Sequence, residues 1–303
     1  MDIMTTSPEI SVLIVTYNSV ESIIATLDSV LQSGYGTALE ILVWDNASTD
    51  GSLSRVRMSC HQPITTHESK ENIGFARAVN ALSRLAVGAH LLILNPDCVI
   101  GDECLKVMHA SLEANPKLGA VGPVLVNSNG KNLAGGGWQP SNLRLLSEIA
   151  NLPRSGRRLS RSGLYARRKF TADKSGIYPV SWVAGTCLLT RRKDFTSVGG
   201  FAEDFFMYCE DMDLGRKFES EGLQSALAVS VRAVHIGGAS HASARSAFRL
   251  QRESLWRYFR KYLSRGCLLN EALFRLLLRV YFLERQLFAH AVSTPTENSR
   301  SGS

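Results

Sequence analysis

The sequence predicts an α/β fold with a mixed, mostly parallel central sheet and helices on both of its faces. The first observation is an alternation of periodicities. Apolar runs rich in β-branched residues, at 9–16, 39–44 and 90–94, alternate with segments of helical periodicity at 19–32 and 75–85. The second observation is that each of these apolar runs ends in a polar cluster. Parallel strands need a crossover between them, usually a helix, and their carboxyl ends then meet at one edge of the sheet.

The composition is that of a globular protein. Apolar residues make up 45% and charged residues 20% of the 303 residues, a length that allows one large domain or two smaller ones. The longest apolar runs, such as residues 91–94, are too short to cross a bilayer. The amino-terminal residues do not have the pattern of a signal peptide. The six cysteines form no C-x-x-C pair, which is typical of reduced thiols, so we expect a cytoplasmic protein.

Positive charge is concentrated in two regions of a chain whose net charge is +7. One is the segment 153–176, whose Gly, Ser and Arg content predicts a mobile loop. The other begins at Arg249. Such clusters suit an anionic partner, which is a phospholipid surface, a lipid-linked pyrophosphate or a nucleic acid, but a solvated face explains them equally well. Because no nucleic-acid-binding motif accompanies the charge, nucleic acid is the weakest of these partners.

The second half of the chain predicts further compact structure and then a helical extension. A strand-like segment at 178–190 precedes a helix at 211–220 and a strand at 227–234. Segment 249–287 has helical periodicity with a polar stripe, so it suits either a membrane surface or packing on the domain, and packing is favoured. We therefore divide the chain into a domain (1–245), an amphipathic helical extension (246–290) and a disordered tail (291–303).

The polar residues that follow the predicted strands are candidates for a binding site. They are Thr16, Tyr17 and Asn18, then Asp45 and Asn46, and then Asn95, Pro96 and Asp97. Ligands of open α/β sheets bind at the carboxyl ends of the strands, so these clusters are expected to converge on one cleft. Each cluster alone is also explained by turns and helix caps, which Asp, Asn and Ser commonly provide.

Three carboxylates follow the aromatic segment 205–209. Glu210, Asp211 and Asp213 lie within four residues of one another. Mutual repulsion and loss of solvation raise the pKa of at least one such carboxyl, which makes it a candidate general base. Acidic residues also suit the first turn of a helix, where they meet the positive end of its dipole. Both interpretations hold if Asp213 is structural and Asp211 functional.

His235 ends the last predicted strand and precedes two glycines. A histidine in such a position is most often a hydrogen-bonded structural residue. Together with an aspartate and a diphosphate, it also suits a manganese or magnesium ion. The chain has neither a P-loop nor a Gly-x-Ser-x-Gly motif. A diphosphate would therefore be held by a metal ion and side chains.

Seven segments, taken in order, resemble the motifs of glycosyltransferase family 2. They are residues 15–18, 43–52, 72–76, 94–97, 182–187, 205–214 and 235–240. The resemblance covers about residues 10–240 and implies a single-domain GT-A fold. The Asn-Pro-Asp and Glu-Asp-x-Asp-Leu variants are most similar to the rhamnosyltransferase-like branch, which builds bacterial cell-wall and surface polysaccharides. This resemblance implies inverting transfer of L-rhamnose from dTDP-rhamnose, a nucleotide-sugar donor, to a glycan or a lipid-linked glycan acceptor.

The resemblance also implies a role for each candidate residue. The donor would contact Thr16, Tyr17, Asn18, Asp45, Asn72 and Asn95. Asp97 and His235 would hold Mn²⁺ or Mg²⁺, and Asp211 would take the proton from the acceptor hydroxyl. Trp182, Gly185 and Glu210 would lie near the acceptor and the transferred sugar.

Two positions depart from the family pattern. Asn95 stands where many members have the first aspartate of the metal motif, and Lys217 stands where the family often has an arginine. A lysine does not reproduce the bidentate hydrogen bonding of a guanidinium.

Two alternative functions remain for a protein of this fold. One is a glycosyltransferase that uses a UDP-hexose donor, and the other is a non-catalytic, glycan-binding scaffold. The sequence leaves the oligomeric state open.

Overall fold

The computed structural model describes residues 8–59, 64–133, 135–140, 176–237, 244–264 and 266–293. In chain order its strands are β1 (Ile10–Thr16), β2 (Leu39–Asp45), β3 (Ile64–Glu68), β4 (His90–Leu94), β5 (Cys98–Ile100), β6 (Leu118–Val126), β7 (Gly136–Gly137), β8 (Ile177–Val180), β9 (Trp182–Val183), β10 (Cys187–Arg191) and β11 (Gln224–His235). The main sheet has the order β3-β2-β1-β4-β10-β6-β11-β5, with β8 also pairing with β11, while β7 and β9 form a small second sheet.

Most strands of the main sheet run in one direction. β1 pairs in parallel with both β2 and β4, and β11 pairs in parallel with β6. β10 is antiparallel to β4 and β6, whereas β5 and β8 are antiparallel to β11. The predicted mixed, mostly parallel sheet is therefore confirmed. The register places Thr16 beside Asp45 and Cys187 beside Leu94, so the polar clusters share one edge of the sheet.

The helices are α1 (Ile23–Leu31), α2 (Ser52–Ser59), α3 (Phe75–Leu85), α4 (Cys104–Ala114), α5 (Arg192–Ser197), α6 (Glu210–Ser220), α7 (Ala244–Tyr262) and α8 (Leu268–Ser293). Alternate residues of β1 serve two apolar clusters: Ile14 packs with residues of α1 and α4, and Leu13 packs with residues of α3, α5 and α6. Because side chains of a strand alternate between its faces, the helices cover both faces of the sheet, as predicted.

Two predicted segments are interrupted. The strand expected at 178–190 is three short strands, β8, β9 and β10. Gly185 and Thr186 form a turn between β9 and β10, in which the Cys187 N–H bonds to the Ala184 carbonyl. The helix expected at 249–287 is two helices, α7 and α8. Gly266, with φ of 71°, lies between them in the left-handed conformation that glycine adopts readily.

The two carboxyl-terminal helices pack on the domain. Tyr258 and Phe259 of α7 and Phe274 of α8 join the apolar cluster under α1 and α4, and the rings of Phe259 and Phe274 stack at 3.8 Å. The other side of α8 exposes Leu268, Leu269, Leu273, Leu276 and Val280. None of the helices in the described part of the chain has the length and apolar character needed to cross a membrane. Apart from Gly176, the predicted basic loop at 153–176 lies outside the described residues. The predicted tail at 291–303 also lies outside them from residue 294, whereas its first three residues, 291–293, belong to α8.

Candidate active site

A cavity of about 370 Å³ opens at the edge of the sheet where β4 and β11 end and α6 begins. Among the predicted site residues, it is lined by Asn95, Asp97, Trp182, Gly185, Glu210, Asp211 and His235. Segments that lie more than a hundred residues apart in the chain therefore meet in one place, at the carboxyl ends of the strands. The other predicted residues, Thr16, Tyr17, Asn18, Asp45 and Asn72, do not line this cavity and lie further along the same edge.

Asp97 and His235 face each other on one wall of the cavity. The antiparallel pairing of β5 with β11 places His235 beside Cys98, and the Ile236 N–H bonds to the Asp97 carbonyl at 3.0 Å. As a result, Asp97 Oδ1 lies 3.3 Å from His235 Nε2. This buried oxygen has no hydrogen-bond donor among the described residues. Adjacent ligands of an octahedral ion with bonds of about 2.1 Å are about 3 Å apart, so the pair suits two ligands of one cation.

Asn95 adds an amide to the same wall. Its backbone N–H bonds to the Thr186 carbonyl at 2.9 Å, and its carbonyl accepts the Cys98 N–H at 3.2 Å. These bonds hold the turn in which Pro96 and Asp97 leave β4. The Asp97–His235 pair thus offers a cation one carboxylate where two would bind more strongly, since charged oxygen ligands raise the affinity for hard cations.

Asp211 lies at the start of α6 and faces the cavity. Its Oδ2 accepts the Gly185 N–H at 3.2 Å, and its Oδ1 accepts the Met212 N–H at 2.8 Å. Loss of solvent raises the pKa of this carboxyl to about 6, while the two backbone N–H groups limit the rise. At neutral pH the carboxylate is ionised, and its basicity exceeds that of an ordinary aspartate. This combination suits a general base.

Glu210 differs from its neighbour in both solvation and partners. Its side chain is 5% exposed, and Oε2 has no hydrogen-bond partner in the described structure. Burial and the nearby charge of Asp211 raise the pKa of Glu210 well above its ordinary value. This shift favours the protonated form of Glu210, and as an acid it can donate a hydrogen bond to a sugar hydroxyl.

Two residues with strained backbone conformations directly precede Glu210 and Asp211 and orient this part of the chain. Tyr208 and Cys209 have φ values of 70° and 67°, in the left-handed region that residues with a Cβ rarely adopt. The chain just before these residues packs closely against Gly74, where a Cβ would lie 2.6 Å from the Phe206 carbonyl oxygen. The same carbonyl accepts the Phe75 N–H, and this bond holds the segment in place. Backbone strain of this kind is characteristic of functional sites.

Asp213, the third carboxylate, points away from the cavity. It is fully buried and accepts hydrogen bonds from Lys261 Nζ and the Tyr262 hydroxyl, both at 2.5 Å. Lys217 lies 3.4 Å from Asp213 and donates to the Gly200 carbonyl at 2.8 Å. Asp213 therefore helps to join α6 to α7, and Lys217 does not line the cavity.

Trp182 lines the cavity but offers little surface for stacking. Only 3% of it is exposed, and its indole N–H donates to the Trp138 carbonyl at 3.3 Å. Its side chain packs over Gly215 of α6, where a Cβ would lie 2.7 Å from the Trp182 Cβ. The expected place of Trp182 near the acceptor stays a prediction. Gly185 also lines the cavity, and its N–H orients Asp211.

The polar residues at the ends of β1 and β2 form a second, adjoining group. Asp45 Oδ2 accepts the Ser48 N–H at 2.9 Å, but its buried Oδ1 has no partner among the described residues. Thr16 Oγ1 is likewise buried without a partner. Asn18, with φ of 51°, accepts the Thr49 N–H, and Tyr17 is half-buried beside it. Unsatisfied buried oxygens at the end of a parallel sheet suit a polar ligand such as a nucleobase.

Asn72 and Asn46 connect this group to the cavity. Asn72 Oδ1 accepts the Gly74 N–H at 3.0 Å at the start of α3. The Asn46 side-chain oxygen accepts the Ile73 N–H, and its amide donates to the Gly74 carbonyl. Gly74 in turn contacts the Phe206 segment that precedes Glu210. The two groups of polar residues are therefore parts of one continuous edge.

Comparison with known proteins decides the family. Residues 11–199, well over half of the chain, match the sequence profile of glycosyl transferase family 2. The chain belongs to glycosyl transferase family 2. Over 208 residues, the chain is 28% identical to N-acetylglucosaminyl-diphospho-decaprenol L-rhamnosyltransferase of Mycobacterium tuberculosis. This alignment covers 65% of this chain and 66% of that protein. It is 36% identical over 94 residues to rhamnosyltransferase WbbL of Escherichia coli, covering 30% and 36%. The resemblance to the rhamnosyltransferase-like branch is thus confirmed, although each alignment spans less than two thirds of the relative.

A solved structure supports the fold of this family 2 member. The mannosyltransferase PcManGT from Pyrobaculum calidifontis, in complex with GDP-Man and Mn²⁺, superimposes with a TM-score of 0.59 and 23% identity. The match covers 96% of this chain and 77% of that one. The expected GT-A fold is therefore confirmed.

Several site residues of this family 2 member escaped the sequence-based prediction. Tyr208, Thr186 and Gln251 also line the cavity. Gln251 belongs to α7, which the sequence assigned to a separate extension. Helical periodicity shows that such a helix has an apolar face, but it does not show which residues border a cleft formed by distant segments.

Proposed function

We propose that this chain is an inverting rhamnosyltransferase that moves L-rhamnose from dTDP-rhamnose to a glycan acceptor with the help of Mn²⁺ or Mg²⁺. The observation that carries the proposal is the joint position of Asp211 and the Asp97–His235 pair in one cavity. The first has the basicity of a general base, and the second has the spacing of two metal ligands. The mycobacterial and the Escherichia coli relatives are rhamnosyltransferases by name.

In the proposed reaction, the residues at the ends of β1 and β2 hold the nucleoside. Asp45 Oδ1 and Thr16 Oγ1, buried without partners among the described atoms, accept and donate hydrogen bonds at the base and ribose. Asp97 and His235 would hold the divalent ion, as suits an aspartate oxygen 3.3 Å from an imidazole nitrogen. When bound, the ion would neutralise the charge that develops on the leaving diphosphate. The structure of PcManGT, a protein of the same fold, is a complex with GDP-Man and Mn²⁺.

Asp211 carries out the proton transfer. Its carboxylate accepts the proton of the acceptor hydroxyl while that oxygen bonds to the anomeric carbon and the bond to the diphosphate oxygen breaks on the opposite face. A single displacement of this kind inverts the anomeric configuration. The N–H groups of Gly185 and Met212 fix the orientation of the carboxylate. Protonated Glu210, beside it, donates a hydrogen bond to a hydroxyl of one of the sugars.

The identity of the donor leads to a prediction that is independent of turnover. We expect dTDP-rhamnose with Mn²⁺ to raise the melting temperature by roughly 5 °C when its concentration is about a hundred times its Kd, because a ligand that binds only the folded state stabilises it. Differential scanning fluorimetry with a panel of nucleotide sugars measures this shift. UDP-glucose and UDP-N-acetylglucosamine are the comparison. A larger shift in melting temperature with either UDP-sugar would indicate that the donor is a UDP-hexose and not dTDP-rhamnose.

We propose that the acceptor is lipid-linked. We also propose that α8 binds the anionic membrane surface that carries this acceptor. Leu269, Leu273, Leu276 and Val280 share one exposed side of α8. Arg279 lies beside this stripe and is exposed as well. Leucines enter the acyl region while arginines pair with anionic headgroups, which is the pattern of an interfacial helix. The mycobacterial relative has a diphospho-decaprenol, a lipid, in the name of its substrate. We therefore place the enzyme in the cytoplasm, peripherally at the inner face of the membrane.

Liposome co-sedimentation tests this surface. The wild-type protein is expected to sediment with phosphatidylglycerol vesicles and less with phosphatidylcholine vesicles or at high salt. Replacing the exposed Leu269 and Leu273 with glutamate is expected to weaken binding by about a hundredfold or more, because burial of each leucine contributes about 1.5–3 kcal/mol. Leu85→Glu, at an exposed position on α3, is the matched control and should sediment as the wild type does. Equal sedimentation of both variants would exclude α8 as the membrane-binding surface.

A further inference from the structure

A second cluster of metal-ligating side chains lies at the opposite edge of the sheet from the cavity. His90 is the first residue of β4, whereas Asp97 follows the end of that strand. His109 and Glu113 are four residues apart on α4 and therefore share one face of the helix. One ring nitrogen of each histidine and one Glu113 carboxylate oxygen all lie within 4.8 Å of one another.

The contacts within this cluster are close. His90 Nε2 lies 3.0 Å from Glu113 Oε1. The two imidazole rings meet edge to face, with centroids 4.4 Å apart. Glu9, which precedes β1, places Oε1 3.6 Å from His109 Nε2. Three chain segments thus present two imidazoles and two carboxylates to one small region.

Two of the imidazole nitrogens have no hydrogen bond in the described structure. His90 Nδ1 and His109 Nε2 are both buried and unpartnered. Leaving a buried polar atom without a partner is unfavourable, so such atoms usually indicate a missing ligand or water. His109 Nδ1, in contrast, lies 3.1 Å from the Tyr35 hydroxyl. Burial, and then the neighbouring His90, lower the pKa of His109.

The charges around the cluster are compatible with a cation. Arg191 Nε lies 3.9 Å from Glu113 Oε1. The guanidinium is held there by the carbonyls of Leu118 and Asn115 and by Asp194, so it covers the carboxyl end of α4. Glu9 and Glu113 supply two negative charges against this one positive charge.

We propose that His90, His109 and Glu113 bind a divalent transition-metal ion of the zinc class at a structural site separate from the catalytic centre. Two imidazoles and a carboxylate are ligands that zinc accepts, whereas manganese and magnesium prefer oxygen. Glu9 is placed to complete four-coordination. The Tyr35 hydroxyl orients His109, as hydrogen-bond partners of metal-ligating histidines commonly do. The bound ion would join the start of β4, α4 and the residues before β1.

Metal binding to a chain without the catalytic ligands tests the proposal. The full-length Asp97→Ala, His235→Ala double variant, freed of metal with a chelator, is dialysed against Zn²⁺ and analysed for metal content. We expect one Zn²⁺ per chain, and the visible spectrum of a Co²⁺-loaded sample should have the intense bands of low-coordinate cobalt. Adding His109→Gln or Glu113→Gln to this background should weaken Zn²⁺ binding at least about tenfold and remove those bands.

Controls separate this outcome from misfolding and from failure of the proposed transferase activity. Glu103→Gln, an exposed substitution just before α4, should leave Zn²⁺ binding unchanged. Glu113 is itself largely exposed, so Glu113→Gln should fold, and in an otherwise wild-type chain it should still release dTDP from dTDP-rhamnose. A double variant that binds no Zn²⁺, or that binds it equally well after both His109→Gln and Glu113→Gln, would overturn the proposal.

Discussion

Replacing Asp211 with asparagine is expected to lower kcat by about 10²–10⁴-fold, the usual contribution of a general base. Asparagine has nearly the same shape and keeps one of the two acceptors that receive N–H groups from Gly185 and Met212. The affinity for dTDP-rhamnose and the melting temperature should therefore change little. Release of dTDP in a coupled assay measures the rate, and thermal shift measures donor binding. The matched control is Asp204→Asn, an exposed aspartate in the loop before α6 that does not line the cavity.

The pH dependence gives this variant a second readout. Because the pKa of Asp211 is about 6, its carboxylate is protonated as the pH falls through that value. The wild-type rate should fall about tenfold per pH unit below pH 6 and level off above it. The residual rate of Asp211→Asn should not show this inflection. An Asp211→Asn enzyme with wild-type activity, or with an unchanged inflection near pH 6, would remove Asp211 from the mechanism.

The second large effect is expected from Asp97→Ala. This change removes the one carboxylate of the Asp97–His235 pair and leaves the imidazole alone, so the site should no longer bind Mn²⁺ in the micromolar to millimolar range. Because a bound divalent cation contributes several kcal/mol to charge stabilisation, kcat/KM should fall by about 10²-fold or more. Asp102→Ala, an exposed aspartate five residues further along, is the control.

Donor binding distinguishes loss of the metal from loss of the fold in this variant. In the wild type, Mn²⁺ should increase the thermal shift caused by dTDP-rhamnose. In Asp97→Ala, the shift should be small and the same with and without Mn²⁺, while the melting temperature of the free protein stays near that of the wild type. If Mn²⁺ still enhances donor binding in Asp97→Ala, then the ion lies elsewhere.

Local sequence patterns predicted the parts of the fold that depend on neighbouring residues. The alternation of apolar runs and helical segments gave β1, β2 and β4 and the helices between them, because strand and helix periodicities are properties of short segments. The polar residues at strand ends followed from the same reasoning, and this is how Asp97 and His235 came to the same edge. Asp213 also took the structural role expected for it, but its partners, Lys261 and Tyr262, lie about fifty residues away.

The remaining features depend on contacts that no local pattern records. The burial of Trp182 results from its packing on Gly215 of α6, more than thirty residues away. Lys217 lies away from the cavity because its ammonium group donates a hydrogen bond to the Gly200 carbonyl. The two histidines His90 and His109 are nineteen residues apart in the chain, so they meet only when the start of β4 packs near α4. Sequence patterns indicate which residues are polar, but the tertiary packing decides which of them meet.

The most direct test of the central claim is the fate of the acceptor. The protein is incubated with Mn²⁺, dTDP-rhamnose and a polyprenyl-diphospho-N-acetylglucosamine in phosphatidylglycerol vesicles, and the lipid is analysed by mass spectrometry and NMR. The account predicts that the acceptor gains one deoxyhexose, that the new glycosidic bond has the anomeric configuration opposite to that of the donor, and that Asp211→Asn yields almost none of this product. An unmodified acceptor beside unconsumed dTDP-rhamnose, or a product that retains the configuration of the donor, would contradict it.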